Sequence, residues 1–248
     1  MGCRPSPKLA QEGISRVSVS SKAVKQTDRF DGLFDEVYRT HMALTQTRVR
    51  RTQAERRTHT RTVLLEATLA SLSELGYSAT TTLEVERRAG VSRGARLHHF
   101  PNKSALLIGA VDWLCDQLGE HYVPAFAASP TRKNERQRVR AGLHELYALF
   151  QHPHYVAVLE LSVAARTDAM LRDQLRSVAE RSRSFALDAA RKLFPALRPS
   201  DAERLVETIR VAFVGLRMQE GVTADKRHTE LVLQVLEDAI VQRIKQID

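Results

Sequence analysis

Apolar residues recur at helical spacing along most of the chain. Leu65, Leu69 and Leu72 follow the i, i+4, i+7 spacing of one helix face, and Gly76 shortly after them predicts that a first helix over residues 53–75 ends in a left-handed turn. Six further stripes have the same period: Leu107, Val111, Leu114 and Leu118; Val139, Leu143, Leu146 and Phe150; Val156, Leu159 and Val163; Leu171, Leu175, Val178 and Phe185; Leu205, Ile209, Ala212, Phe213 and Leu216; and Val232, Leu236, Ala239 and Ile240. No segment alternates apolar and polar residues over the length of a strand, so the pattern predicts an all-α protein.

Two short helices are predicted between the first of these stripes and the second. Thr81, followed three residues later by Glu84, has the spacing of a capping box and begins the second helix of the chain. Gly90 supplies the sharp turn that ends it, and Ser92 caps a third helix that runs to His99. Two short helices joined by a glycine-containing turn, and braced by a longer preceding helix, predict a helix-turn-helix.

Positive charge is concentrated in the same part of the chain. The protein has 248 residues and a formal net charge of +9. Residues 42–103 contain 11 basic and 5 acidic residues, whereas residues 104–248 contain 20 and 19. A basic segment beside a nearly neutral remainder indicates a module that binds a polyanion.

Membrane and secreted proteins are not favoured by the composition. Apolar runs reach 7 residues, where a membrane-spanning helix needs about 20. The opening residues lack the apolar core of a secretory signal, and Cys3 and Cys115 are too far apart in sequence to indicate a disulfide framework. We therefore expect a cytoplasmic protein.

Enzymatic motifs are missing from the sequence. It contains no GxSxG, Walker, GxGxxG or HExxH motif, so we expect neither an enzyme nor a cofactor. His152-Pro153-His154 is interpreted as a pair of surface histidines, because no partner ligands for a metal accompany it.

Residues 1–47 are expected to form a basic, disordered extension. Four apolar residues between Phe30 and Val37 have the spacing of two amphipathic turns, which either fray or dock on a partner. Met42 precedes a basic lead-in and is an alternative translation start. The opening MGCRPS also fits a myristoylation signal, so a lipid-anchored membrane-surface protein remains an alternative of a different class.

The stretch from Arg61 to Leu107, which includes LSELGYSATTTLEVERRAGVSRGARLHHFPNKSALL, resembles the DNA-binding domain of TetR-type bacterial transcriptional repressors. The positions that carry the resemblance are Gly76-Tyr77, Thr80-Thr81, Ala89-Gly90-Val91-Ser92, His99-Phe100 and Lys103. The resemblance implies a helix-turn-helix DNA-binding domain over residues 48–103 and a helical effector-binding and dimerisation domain over residues 104–248.

A functional expectation follows from that resemblance. The chain is expected to be a sequence-specific transcriptional regulator, a repressor released from a palindromic operator in double-stranded DNA by a small apolar or amphipathic ligand. A ligand-independent activator and an architectural DNA-binding protein share the same module and remain alternatives. When bound to DNA, the protein would be associated with the bacterial nucleoid.

The recognition helix, from Arg93 to His99, supplies the expected base contacts. Arg93 can make a bidentate contact with guanine, Ala95 is small enough to meet a thymine methyl group, and Gly94 allows close approach. The full predicted set of DNA-binding residues is Thr81, Thr82, Arg93, Gly94, Ala95, Arg96, His98, His99 and Lys103. A basic arm that grips phosphates or the minor groove is predicted at Arg48, Arg50, Arg51, Arg56 and Arg57.

Other residues of this segment are assigned to structure. Phe100 and Tyr77 are expected in the core, and Arg87 and Arg88 on a solvated face.

Two positions depart from the family pattern. Glu86 stands where a small alanine is usual, and Arg96-Leu97 replaces an apolar residue followed by tyrosine. Losing the tyrosine removes one customary phosphate contact, which Arg96 is a candidate to replace. Glu86 is a candidate partner for Arg96 or Arg93.

The C-terminal stripes predict a dimer surface and an effector pocket. The last two helices are expected to pair with their copies as a four-helix bundle, the alternative being that their stripes close the core of a monomer. The predicted interface residues are Leu205, Ile209, Phe213, Leu216, Val232, Leu236 and Ile240, with rim charges at Arg204, Glu207, Arg210 and Glu237. The predicted pocket lining is Trp113, Tyr147, Phe150, Tyr155, Leu159 and Phe185.

Overall fold

The computed structural model describes residues 52–127, 134–194, 197–223 and 226–246, and these contain nine α-helices and no strand. The helices are α1 Gln53–Ala79, α2 Thr82–Ala89, α3 Arg93–His99, α4 Lys103–Ala127, α5 Glu135–Gln151, α6 Tyr155–Ala164, α7 Ala169–Leu193, α8 Pro199–Thr223 and α9 Lys226–Lys245. The all-α prediction is confirmed. The predicted extension over residues 1–47 lies outside the described residues, and so do Arg48, Arg50 and Arg51 of the predicted basic arm.

Helix α1 begins at a capping box that the sequence analysis did not predict. The Thr52 hydroxyl accepts from the Glu55 amide at 3.2 Å, and the Glu55 carboxylate accepts from the Thr52 amide at 2.7 Å. The predicted stripe of Leu65, Leu69 and Leu72 is fully buried. Gly76 has φ 77° and ψ 176°, so it interrupts the helix in a glycine-specific conformation rather than ending it in a left-handed turn, and helical residues continue to Ala79.

The turns around α2 and α3 follow the sequence closely. The Thr81 hydroxyl accepts from the Glu84 amide at 3.1 Å, Gly90 adopts the left-handed conformation with φ 64°, and the Ser92 hydroxyl accepts from the Ala95 amide at 3.2 Å. The second half of the predicted capping box is not formed at Thr81, because the Glu84 carboxylate binds arginine side chains of α2 instead. The helix-turn-helix is thereby confirmed.

One apolar core joins the helix-turn-helix to α4, α6 and α7. Its largest fully buried side chains are Leu64, Leu65, Leu69, Leu72, Val85, Leu106, Leu107, Val111, Leu114 and Leu161. Helix α4 begins at the predicted domain boundary and packs on both α1 and α7, so contacts continue across residue 103. On α6 the predicted stripe is wrong: Ala157 and Leu161 are buried, while Val163 is 52% exposed. Because α6 is apolar on nearly all sides, spacing alone did not select its buried face.

A second apolar core lies between α5, α8 and α9. It buries Val139, Leu143, Tyr147, Ile209, Phe213, Leu216, Leu233, Leu236, Ile240, Val241 and Ile244, with Leu205 and Val232 partly buried beside them. This set contains every residue predicted for the dimer interface. That assignment is corrected: these side chains close the chain's own core, because α5 packs over both α8 and α9.

Helices α8 and α9 expose a different apolar set, consisting of Val211, Met218, Val222, Leu231 and Val235. Of the predicted rim charges, Glu237 is buried and contacts Arg136, whereas Glu207 accepts from Arg183 and Arg210.

Among the described helices, none combines the length and the apolar character needed to cross a membrane.

Candidate DNA-binding surface

Helix α3 presents one exposed face. Arg93, Gly94, Leu97 and His98 are exposed, whereas Ala95 and His99 are half-buried. Residues 93, 94, 97 and 98 have the i, i+1, i+4, i+5 spacing of one side of a helix. This face carries the predicted guanidinium and one imidazole, and it also carries Leu97, which the sequence analysis left out of the site.

Arg96 is not on this face. Its side chain is buried, and its Nε donates to Glu86 Oε1 at 2.9 Å. Its Nη1 donates to the carbonyl oxygens of Phe100 at 3.0 Å and Pro101 at 3.4 Å. The prediction that Arg96 contacts DNA is therefore wrong, and the suggested pair between Glu86 and Arg96 is confirmed. The pair ties α2, α3 and the turn before α4 together.

The start of α2 carries two threonines and an exposed apolar side chain, since Leu83 is 74% exposed. Thr81 is exposed as the cap of α2, and Thr82 is half-buried. The carboxylate of Glu84 accepts hydrogen bonds from Arg87 and Arg88, which lower the pKa of Glu84 to about 2. Arg88 also pairs with Glu74 of α1 at 2.7 Å. Arg87 is well exposed as predicted, whereas Arg88 is mostly buried in this cluster.

A cationic group at the start of α1 faces the end of α3. Arg57 and Arg61 are exposed and one turn apart, and the Arg61 guanidinium lies 5.6 Å from the centre of the Phe100 ring. Burial lowers the pKa of His99, and the charges of His98, Arg57 and Arg61 lower it further. Arg57 was predicted as part of the basic arm and Arg61 was not, although its i+4 spacing from Arg57 places both on one side of α1.

Lys103 links the start of α4 to the interruption in α1. Its Nζ donates to the Tyr77 carbonyl oxygen at 3.0 Å and lies 4.6 Å from the centre of the Tyr77 ring. Burial lowers the pKa of Lys103. On the other side of the same residue, the Tyr77 amide donates to Glu160 Oε2 of α6 at 3.1 Å. Residue 77 is thus held by α4 and α6 together, and Phe100 is buried as predicted.

Three of the six predicted pocket residues lie together. The Phe150 ring centre is 4.7 Å from that of Tyr155 and 5.2 Å from that of Phe213, and Tyr147 lies 4.9 Å from Phe213. The Tyr147 hydroxyl donates to Glu220 Oε1 at 2.7 Å. Burial, followed by this hydrogen bond, raises the pKa of Tyr147.

The remaining pocket residues lie elsewhere. Phe185 is 42% exposed and lies against Gly119, so its assignment to an enclosed lining is corrected. Trp113 packs against the first core, and Leu159 is half-buried. An open cleft of about 940 Å³ between the end of α1 and the end of α6 contains none of the six.

His152 and His154 are half-buried rather than at the surface, and their ring centres are 5.2 Å apart. Burial and the neighbouring His154 lower the pKa of His152 to about 4. Within the described residues, no group of three or more His, Cys, Asp or Glu side chains could hold a metal ion.

Comparison with known proteins identifies relatives over most of the chain. The family described as "Bacterial regulatory proteins, tetR family" matches residues 64–110. The HTH-type transcriptional regulator CymR of Pseudomonas putida is 34% identical over 185 residues, which are 74% of this chain and 90% of CymR.

Solved structures share the fold. A transcriptional regulator from Pseudomonas aeruginosa PAO1 aligns with a TM-score of 0.60 and 21% identity over 81% of this chain and 96% of its own. The multidrug binding protein EbrR, solved with imidazole, aligns with a TM-score of 0.54 and 18% identity over 74% of this chain and 93% of its own.

Proposed function

Because the chain belongs to the TetR family of bacterial transcriptional regulators, we propose that it is a repressor that binds a near-palindromic operator as a homodimer and leaves it when a small molecule binds. It is a DNA-binding regulator and not an enzyme. The observation that carries the proposal is the exposed face of α3, which presents Arg93 and His98, with Arg57 and Arg61 of α1 near His99 at the end of the helix. Such a protein acts in the bacterial cytoplasm, on the nucleoid when bound.

The proposed DNA contacts divide into two kinds. Arg93 reads a guanine in the major groove, and Gly94 lets the backbone approach the base edges. Thr81, Thr82 and His98, with Arg57 and Arg61, contact the sugar-phosphate backbone and set the register. Lys103 and His99 are half-buried and add phosphate contacts at the edge of the surface.

The proposed dimer uses the exposed seam of α8 and α9. On α8 the exposed positions 204, 208, 211, 215, 218 and 222 alternate steps of four and three, the spacing of a coiled-coil seam. Val211, Met218 and Val222 make this seam apolar, and a side chain at Gly215 would meet no atom within 4 Å. Leu231 and Val235 continue the apolar surface on α9. Pairing two such seams forms a four-helix bundle.

A dimer explains why the operator should be near-palindromic. A two-fold axis between the α8–α9 pairs relates the two α3 helices, which must enter successive major grooves roughly 34–36 Å apart. A bundle that rotates or tilts the subunits changes that spacing and weakens DNA binding.

The proposed effector site is the aromatic cluster of Tyr147, Phe150 and Tyr155. It combines bulky apolar surface with polar groups, since Glu220 accepts from both Tyr147 and Gln151, as expected for a site that binds a small amphipathic molecule. EbrR, a protein of the same fold, binds a small heterocycle, imidazole.

A route from the effector site to DNA is available through Tyr77. Helix α6 begins at Tyr155 of the aromatic cluster and carries Glu160, which holds the Tyr77 amide, while Lys103 holds the Tyr77 carbonyl group. A ligand that displaces α6 would shift α1 and α4 relative to each other. A coupling free energy of about 1–3 kcal/mol would weaken operator binding about 5–150-fold.

Selection of bound sequences from random duplex DNA tests the proposal. We expect a near-palindromic consensus with half-sites about one helical turn apart, and repression of a reporter promoter that contains it. Arg93→Ala should lose about 1–3 kcal/mol of discrimination at one base pair of each half-site. Absence of any enriched sequence would refute sequence-specific binding. Activation of the reporter would show that the protein is an activator and not a repressor.

A further inference from the structure

Two neighbouring residues of α3 have the reverse of the usual burial. Arg96 is 5% exposed, whereas Leu97 is 44% exposed. Arginine is almost never fully buried unless it is paired, and leucine is among the residues most often buried. The charged side chain therefore occupies the inner face of α3 and the apolar side chain occupies the outer face.

This arrangement brings no evident gain in stability to the unbound protein. The buried Arg96 requires Glu86 and two backbone carbonyl oxygens as partners, and a buried ion pair is often no more stabilising than well-packed apolar residues of similar volume. Leu97 leaves apolar surface in water. The arrangement is explained if Leu97 is buried when the protein acts.

Leu97 shares the exposed face of α3 with Arg93, the residue proposed to read a base edge. It is one turn beyond Arg93 and Gly94 and next to His98, on the single exposed face of α3. Ala95 lies to the side of this face and is half-buried. The apolar group that base pairs offer in the major groove is the 5-methyl group of thymine.

We propose that Leu97 is a specificity-determining residue that contacts the 5-methyl group of a thymine in each half-site. The inference rests on the proposed function, since it requires that α3 enters the major groove. Arg93 and Leu97 then read neighbouring base pairs by different chemistry, one through hydrogen bonds to guanine and the other through apolar contact.

Replacement of thymine by deoxyuridine tests this contact, because it removes only the methyl group. The probes are duplexes of the selected consensus in which each thymine is replaced in turn, in one half-site or in both. Burial of one methyl group corresponds to about a fourfold change in Kd. For the wild-type protein we expect one thymine per half-site whose replacement weakens binding about fourfold, and about fifteenfold when both half-sites are changed.

The same scan is repeated with Leu97→Ala and Leu97→Gln, both at an exposed helical position. Each variant should bind the thymine and the deoxyuridine duplexes with Kd values within twofold of each other. Met170→Ala, an exposed residue of α7, is the matched control and should retain the wild-type response.

Each contrary outcome identifies a different error. A methyl response that persists in both Leu97 variants, or disappears in Ala95→Gly instead, overturns the inference, as does a consensus without a methyl-sensitive thymine. If the wild-type protein selects no sequence at all, the proposed function itself fails.

Discussion

The buried pair of Arg96 and Glu86 gives the sharpest prediction about the recognition helix. Replacing Arg96 by methionine keeps an unbranched side chain of similar length and removes the charge. Glu86, whose side chain is 10% exposed, then stays buried without its partner, and the carbonyl groups of Phe100 and Pro101 lose their donor. Breaking a buried pair in this way costs about 3–5 kcal/mol, a large part of a total stability of about 5–15 kcal/mol.

The assay is urea unfolding followed by circular dichroism, with operator affinity measured on the same samples. Arg96→Met should lower the free energy of unfolding by about 3–5 kcal/mol, whereas the double variant Glu86→Ala, Arg96→Met should recover most of that loss, because the unpaired carboxylate is gone. Arg93→Met is the matched control on the exposed face of the same helix and should change stability by less than about 0.5 kcal/mol.

Two results would refute this reasoning. If Arg96→Met is as stable as the wild type, the pair does not hold α3 in place. If Arg96→Met keeps its stability but shows a shallower dependence of operator affinity on salt, Arg96 is a phosphate contact after all.

Three further predictions concern other parts of the chain. Gly76→Ala should destabilise the protein by about 1–3 kcal/mol in urea unfolding, because a φ of 77° is strained for any residue with a side chain and the new Cβ would lie 3.1 Å from Glu160 Oε2. The control Gly94→Ala places its Cβ in open space and should not lower the free energy of unfolding. Equal destabilisation by the two variants would refute a special role for the Gly76 backbone. The pKa of Glu84 is lowered from 4.5 to about 2, so the stabilisation from its ionised carboxylate is fully present above pH 4.5 and is lost as the pH falls toward 2. Glu84→Gln should therefore flatten the dependence of the free energy of unfolding on pH in this range. An unchanged dependence would show that the contacts with Arg87 and Arg88 do not stabilise the protein. Met218→Arg should raise the dimer dissociation constant about 100-fold or more in sedimentation equilibrium, because it places like charges on both sides of the proposed seam. Met170→Arg, an exposed position on α7, is the control and should leave the dissociation constant unchanged. An unchanged dissociation constant in Met218→Arg would exclude this interface.

Local chemistry explains why the helix-turn-helix was predictable from the sequence. Thr81, Gly90 and Ser92 each act through a hydrogen bond or a backbone conformation confined to their own turn, so residue type and spacing were sufficient. The hydrogen-bond partners of the Glu84 carboxylate were not predictable in the same way. The spacing from Thr81 predicted that this carboxylate would accept from the cap amide, but Arg87 and Arg88 on the following turn donate to it instead.

Residues that act between helices were harder to assign from the sequence. Arg96 was predicted at the DNA as a replacement for the phosphate contact of the family's tyrosine, yet its environment is set by Glu86, ten positions away. The departure of both positions from the family pattern was the one signal that linked them. The contacts of Tyr77 with Glu160 and Lys103 join residues up to 83 positions apart, and no periodicity within one helix reveals such contacts.

The proposed dimer surface illustrates a general limit of periodic patterns in helical bundles. The strongest apolar stripe of a helix marks the face that is buried most completely, and in α8 that face, with Ile209, Phe213 and Leu216, packs on α5 and α9 of the same chain. The exposed face of α8 that is proposed to pair carries a weaker stripe, with Val211, Met218 and Val222 separated by Thr208 and Gly215. Once the first stripe is known to be buried within the chain, only the second stripe remains available to a partner, and periodicity alone does not tell the two apart.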